Sequence, residues 1–212
     1  MVLISILASC RIYSIEKETN MEMIVKPQLK KKRSFISKRI VAILLLILIV
    51  SITAYGTIFC VIFAMGEGTN LIKTANTSVQ MLPDFLFCYY DDTVATYTLR
   101  GILIGILSIL GGASFCMMCD AIFQNRNISI LVSLIVLFML IELNMKGIDN
   151  GLVYKIVSFM PISGVNPVSL GVSSYVISIG KLVVTQYEGI AIINIVFILI
   201  SILGIEKIYV KR

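Results

Sequence analysis

Long apolar stretches alternate with short polar intervals along most of the chain. Residues 40 to 64, IVAILLLILIVSITAYGTIFCVIFA, run for twenty-five positions without a charge. As a helix that run reaches ~37 Å, enough to cross a hydrocarbon core of ~30 Å with some tilt. Comparable runs follow at about 99–119, 128–144 and 189–208. Residues 168 to 184 are also apolar, but four serines, two glycines and Lys181 dilute them. Their insertion energy is marginal, and they read as a re-entrant or interfacial segment on the outer face. The pattern predicts an all-α polytopic membrane helix bundle with about four full transmembrane helices.

Charge orients this bundle. Arg11, Lys17, Lys26, Lys30, Lys31, Lys32, Arg33, Lys38 and Arg39 precede the first full span, and Lys207, Lys211 and Arg212 follow the last. Four crossings place both groups on one side of the membrane, together with Arg126 in the turn between the second and third spans. The other side keeps Lys73, Arg100, Lys146, Lys155 and Lys181. Basic residues accumulate on the cytoplasmic side, so both chain ends are expected there. A fifth span through 168–184 would put the basic tail outside.

The polar stretch from Arg11 to Arg39 divides the chain. Residues 1–10 are apolar but cover only about 15 Å as a helix, half of a membrane core. Basic residues follow this run instead of preceding it, unlike a signal peptide, so it reads as the end of a transmembrane helix that begins upstream. Residues 11–39 form a weakly amphipathic piece with Ile12, Ile15, Thr19 and Met23 on one face and Arg11, Ser14, Glu18 and Glu22 on the next. Asn20 interrupts it and Pro27 stops it, pushing Lys26 towards an extended conformation. The block Lys30 to Arg33, with Lys38 and Arg39, is a basic anchor against anionic lipid. Residues 40–212 form the transmembrane bundle.

Composition agrees with a membrane setting: 58% of residues are hydrophobic and 14% charged, and the mean hydropathy is +0.98. A soluble domain carries about a quarter charged residues. The net charge of +6 follows topology and calls for no nucleic acid. With no histidine anywhere, histidine-based catalysis is removed. Cys10, Cys60, Cys88, Cys116 and Cys119 form no secreted disulfide pattern. Cys116-x-x-Cys119 lacks the second ligand pair that a zinc site needs, so no metal is expected. Glycines at 101, 105, 111 and 112, and at 56, suit close helix packing. Glu142 and Asn144 lie near the end of the third span, within reach of the interface and not at the membrane centre.

The residues before the first full span resemble a motif of the ABC-2 type permeases of ATP-binding cassette transporters. Those proteins carry E-R-E-x-G-T-x-E-x-L-L-x-T-P after their second transmembrane helix, then G-K before the third. Here Glu16-Lys17-Glu18, Glu22, Pro27 and Lys38 stand in the corresponding places. The family's Gly-Thr is Asn20-Met21, and its Gly before the Lys is Ser37; asparagine is the best substitute for glycine where a positive φ is needed. The spacing from Glu18 to Pro27 is shorter than usual. The resemblance covers the chain as the C-terminal half of a permease.

The resemblance implies a bacterial plasma-membrane subunit that couples ATP hydrolysis by a separate cassette ATPase to substrate movement, as an exporter. Glu16, Lys17, Glu18, Asn20, Glu22, Pro27 and Lys38 would couple to that ATPase, and the motion would pass into the helix beginning at Ile40. A second permease copy or the missing N-terminal half would be further partners, beside membrane lipid. The chain has no G-x-x-x-x-G-K-[ST], so a nucleotide cofactor of its own is not expected and it is not an enzyme. The competing expectation is a non-transporting immunity or accessory factor derived from a half-permease. A membrane enzyme ranks below both, having neither histidine nor central carboxylates to work with.

Overall fold

The computed structural model describes residues 32–82, 90–145, 176–179 and 182–211, together with Ser9, Ser14, Thr19 and Phe159. Among them are five α-helices: α1 (Lys32–Ala64), α2 (Gly68–Thr74), α3 (Val94–Phe123), α4 (Arg126–Met145) and α5 (Gln186–Lys211). A 3₁₀ turn covers Val79–Met81, and β1 (Val176–Ile179) pairs with β2 (Leu182–Thr185). Three stretches, Ser37–Ala64, Val94–Phe123 and Gln186–Ile208, are long and apolar enough to cross a membrane.

Local chemistry sets the helix ends. α1 begins at Lys32, eight residues before the apolar run, because a basic helical segment leads straight into it. It stops where Gly66 turns to a φ of +85°, a conformation open to glycine. α3 starts at Val94 under a capping box: Thr93 Oγ1 accepts from the Thr96 N–H, and Thr96 Oγ1 accepts from the Thr93 N–H at 2.9 Å. That cap pulls residues 94–98 out of the expected outer loop. At its far end Gln124 takes a left-handed φ of 50° and donates its N–H to the Asp120 carbonyl. Asp120, expected to open a polar turn, therefore lies inside the last turn of α3. Asn125 Oδ1 then accepts from the Asn127 N–H, starting α4. α5 begins where the Thr185 N–H donates to Glu188 Oε2 at 3.0 Å.

α3 is the centre of the bundle. In its most apolar window 61% is buried, against 17% for α1 and 28% for α5, and it packs on α1, α4 and α5. α5 runs parallel to it in a constant register: Ser108 meets Asn194, and Met118 meets Gly204. α1 runs antiparallel. Ile40 packs with Met117, Ala121 and Ile205, while further along Ile47 packs with Ile109 and Ala113. α4 returns from α3 through the short Gln124–Asn125 turn.

The start of α1 and the ends of α3 and α5 thus share one end of the bundle. Lys38, Arg39, Arg126 and Lys207 stand there with Asp120 and Glu206. Glu67, Lys73, Asp91, Asp92, Arg100 and Glu188 mark the opposite end. Between the two ends the outer surface is apolar: Leu45, Leu46, Ile49 and Ile52 of α1, Leu131 and Phe138 of α4, and Leu199 and Leu203 of α5 are all exposed. A continuous belt of this kind suits hydrocarbon and not water.

The hairpin is a local exception to the expected all-helical chain. It occupies the later part of the diluted segment 168–184 and pairs Val176 with Thr185 and Ile179 with Leu182. Alternating β-branched residues on either side of Gly180-Lys181 favour this pairing. Residues 168–175, 180 and 181 lie outside the described residues.

Candidate functional site

The expected coupling residues precede or begin the helix α1, whose start lies at the basic end of the bundle. Of the seven, Lys38 is described: it is exposed on α1, two residues before the buried Ile40. Glu16, Lys17, Glu18, Asn20, Glu22 and Pro27 lie outside the described residues. Their neighbours Ser9 and Ser14 are helical and fully buried, and Thr19 is an exposed turn residue.

Ser14 contacts the central helix. Its backbone N–H donates to Asp120 Oδ2 at 3.2 Å, across 106 residues of sequence. Asp120 is itself fully buried. A carboxylate in the last turn of a helix faces the negative end of the helix dipole, and burial adds a desolvation cost. The Ser14 N–H is a donor to this side chain from outside the helix. Asp120 is the functional candidate that the sequence reading passed over; a lone acid closing a long apolar run was its signal.

Among the described residues the helix seams carry several buried polar side chains. Ser51 Oγ donates to the Ile47 carbonyl at 2.8 Å, Ser114 Oγ to Gly111 at 2.8 Å and Ser129 Oγ to Asn125 at 2.8 Å. Each hydroxyl is satisfied within or just before its own helix and acts as a small packing residue. Asn194, fully buried between α3 and α5, donates through Nδ2 to the Ile190 carbonyl at 2.9 Å and, weakly, to Ser108 Oγ at 3.4 Å. Its Oδ1 accepts no hydrogen bond.

At the opposite end, Arg100 donates to Asp92 Oδ2 at 2.7 Å; the Asp92 side chain is 9% exposed and the Arg100 side chain 51%. Beside this pair Tyr187 packs edge-on against Tyr90, ring centres 4.7 Å apart, and against Tyr97 at 6.4 Å. Phe159, Val79, Ile104 and Ile190 complete that cluster. The connection before α3 is tied to the helix start by Val79 N–H to Asp92 O and Val94 N–H to Thr77 O.

No known protein family, characterised protein or solved structure matches the chain. Site chemistry therefore rests on these residues alone. Among the described residues no group of three His, Cys, Asp or Glu side chains comes together to hold a metal ion. Cys116 and Cys119 are buried in α3. What the described residues show at the basic end is the Ser14 backbone on the last turn of the central helix, with Lys38, Arg39, Arg126 and Lys207 at the same end.

Proposed function

We propose that this chain is the membrane-spanning permease subunit, or the C-terminal half of one, of an ABC-2 type ATP-driven exporter. A separate cassette ATPase hydrolyses the nucleotide, and residues 16–27 receive it. α1, α3, α4 and α5 each cross the bilayer, and the end that carries Lys38, Arg39, Arg126 and Lys207 faces the cytoplasm. Alternating helix directions support four crossings, since α1 and α3 run antiparallel and α3 and α5 parallel. The positive-inside rule supports the orientation.

One observation carries the reading above the others. The motif-like run Glu16-Lys17-Glu18…Glu22…Pro27 follows directly on Ser14, which is anchored on the basic end of the bundle. A surface for a cytoplasmic partner has to sit there. Reversing charge at Glu18 and Glu22 together, Glu18→Lys with Glu22→Lys, is expected to abolish co-purification of the ATPase while membrane insertion is unchanged. Unaltered co-purification would refute the assignment of this surface.

A further inference from the structure

We infer that the seam between α3 and α5 binds one water molecule, which donates a hydrogen bond to Asn194 Oδ1 and pairs with Ser108 Oγ. The site does not depend on the transporter reading. Asn194 is fully buried and its carboxamide is half satisfied. Nδ2 donates to the Ile190 carbonyl at 2.9 Å and to Ser108 Oγ at 3.4 Å, whereas Oδ1 accepts no hydrogen bond. A backbone carbonyl can only accept, so the short bond to Ile190 fixes which end of the amide is nitrogen; a flip would set two acceptors against each other. Ser108 stands midway along the 30 residues of α3. With α3 across a bilayer, the pair lies near the middle of the hydrocarbon, beyond the reach of bulk solvent. An acceptor buried bare there loses its hydration without return.

Room for a donor lies beside the pair. Gly112 follows Ser108 by one turn on the same face of α3. It is buried, yet a Cβ added to it would meet no atom within 4 Å. Helical Cβ atoms tilt towards the N-terminus, so this space lies on the Ser108 side of Gly112. By contrast, a Cβ at Gly204 on α5 would meet Met118 Sδ at 3.4 Å. The distances suit a bridge. Oδ1 lies about 2.3 Å from Nδ2 by covalent geometry, and so within about 5.7 Å of Ser108 Oγ. A water bonded to both oxygens spans up to about 6 Å.

The partners are also chemically matched. Ser51, Ser114 and Ser129 donate their hydroxyl protons to nearby backbone carbonyls. Ser108 Oγ instead accepts from Asn194 and keeps its own proton to donate. A water in the seam donates to Oδ1 and accepts from Ser108, two of the two to four bonds that hold a buried water. A wholly apolar space stays dry. The seam where Ile47 packs with Ile109 and Ala113 offers no such partners in its side chains.

Nuclear magnetic resonance of the full chain in detergent micelles, nitrogen-15 labelled at asparagine, reads the contact with water itself as the probe. The Asn194 carboxamide signals are those that disappear in Asn194→Leu. They are expected to show a cross-peak to water with Overhauser effects of opposite sign in the laboratory and rotating frames, as a held molecule gives and passing solvent does not. Exposed Asn70 and Asn127 supply the passing-solvent control. Gly112→Leu fills the space and is expected to abolish the cross-peak while the Asn194 signals persist; Gly112→Val, a smaller filling, replaces it if the leucine variant does not accumulate. Absence of the cross-peak in the wild-type chain overturns the site. Its survival in the filled variant also overturns the site, because the signal then arises from the Ser108 hydroxyl exchanging with solvent.

Discussion

Gly189 and Phe159 offer a sharp test of the packing at the acidic end. Gly189 lies in the first turn of α5, and a methyl group there would overlap the edge of the Phe159 ring. Phe159 is 3% exposed and wedged among Tyr90, Tyr97, Tyr187 and Ile190, so it has little room to retreat. Overpacking a filled core costs about 1–3 kcal/mol. Replacing glycine in a helix returns at most about 1 kcal/mol. Gly189→Ala is therefore expected to destabilise the bundle by about 0–2 kcal/mol. Phe159→Ala alone should cost about 3–5 kcal/mol by emptying the site. In that background the added methyl has space, and Gly189→Ala should turn neutral or stabilising by up to about 1 kcal/mol. The double-mutant cycle thus predicts a coupling of about 2 kcal/mol. Unfolding in mixed detergent and dodecyl sulfate micelles, followed by far-ultraviolet circular dichroism, measures all four corners; the chain has no tryptophan to follow instead. Additive effects, with Gly189→Ala neutral in both backgrounds, would refute the contact.

Three further outcomes follow from local geometry. Gly56 has nothing within 4 Å of the position a methyl would take, so Gly56→Ala should stabilise α1 by about 0.5–1 kcal/mol in the same assay; a loss instead would reveal a helix packed on that face. Arg100→Gln leaves the largely buried Asp92 carboxylate without its cation. Half-exposure of the arginine limits the cost to about 1–2 kcal/mol, and a stability equal to wild type would show that the ion pair contributes nothing. Gln124→Gly relieves a left-handed φ of 50° and should raise stability by about 0.5–1 kcal/mol, whereas a fall would mean that the glutamine side chain holds the turn.

Much of the bundle is legible from residue types alone. The uncharged run 40–64 can be little other than a helix in hydrocarbon, since backbone groups there must be satisfied within the segment. The same reasoning sets out the helices at 99–119, 128–144 and 189–208, and the structure extends each by a few residues. Those extensions come from caps such as Thr93 with Thr96, whose reciprocal hydrogen bonds are a weak signal between a polar loop and an apolar run. The hairpin at Val176–Thr185 is harder to anticipate. Short apolar segments fit a strand or a membrane-surface helix equally well until a pairing partner is known.

Hydropathy and charge determine that the chain is a helical bundle built for a bilayer, and which end is basic. Those are sums over residues, insensitive to who touches whom. Tertiary structure alone decides that α3 is the central helix and that α5 runs beside it in parallel register. It also turns Asp120 from the first residue of a polar turn into a buried acceptor for Ser14. A contact spanning 106 residues leaves no trace in local pattern, because the cost of burying the carboxylate and the donor that offsets it lie far apart in the chain.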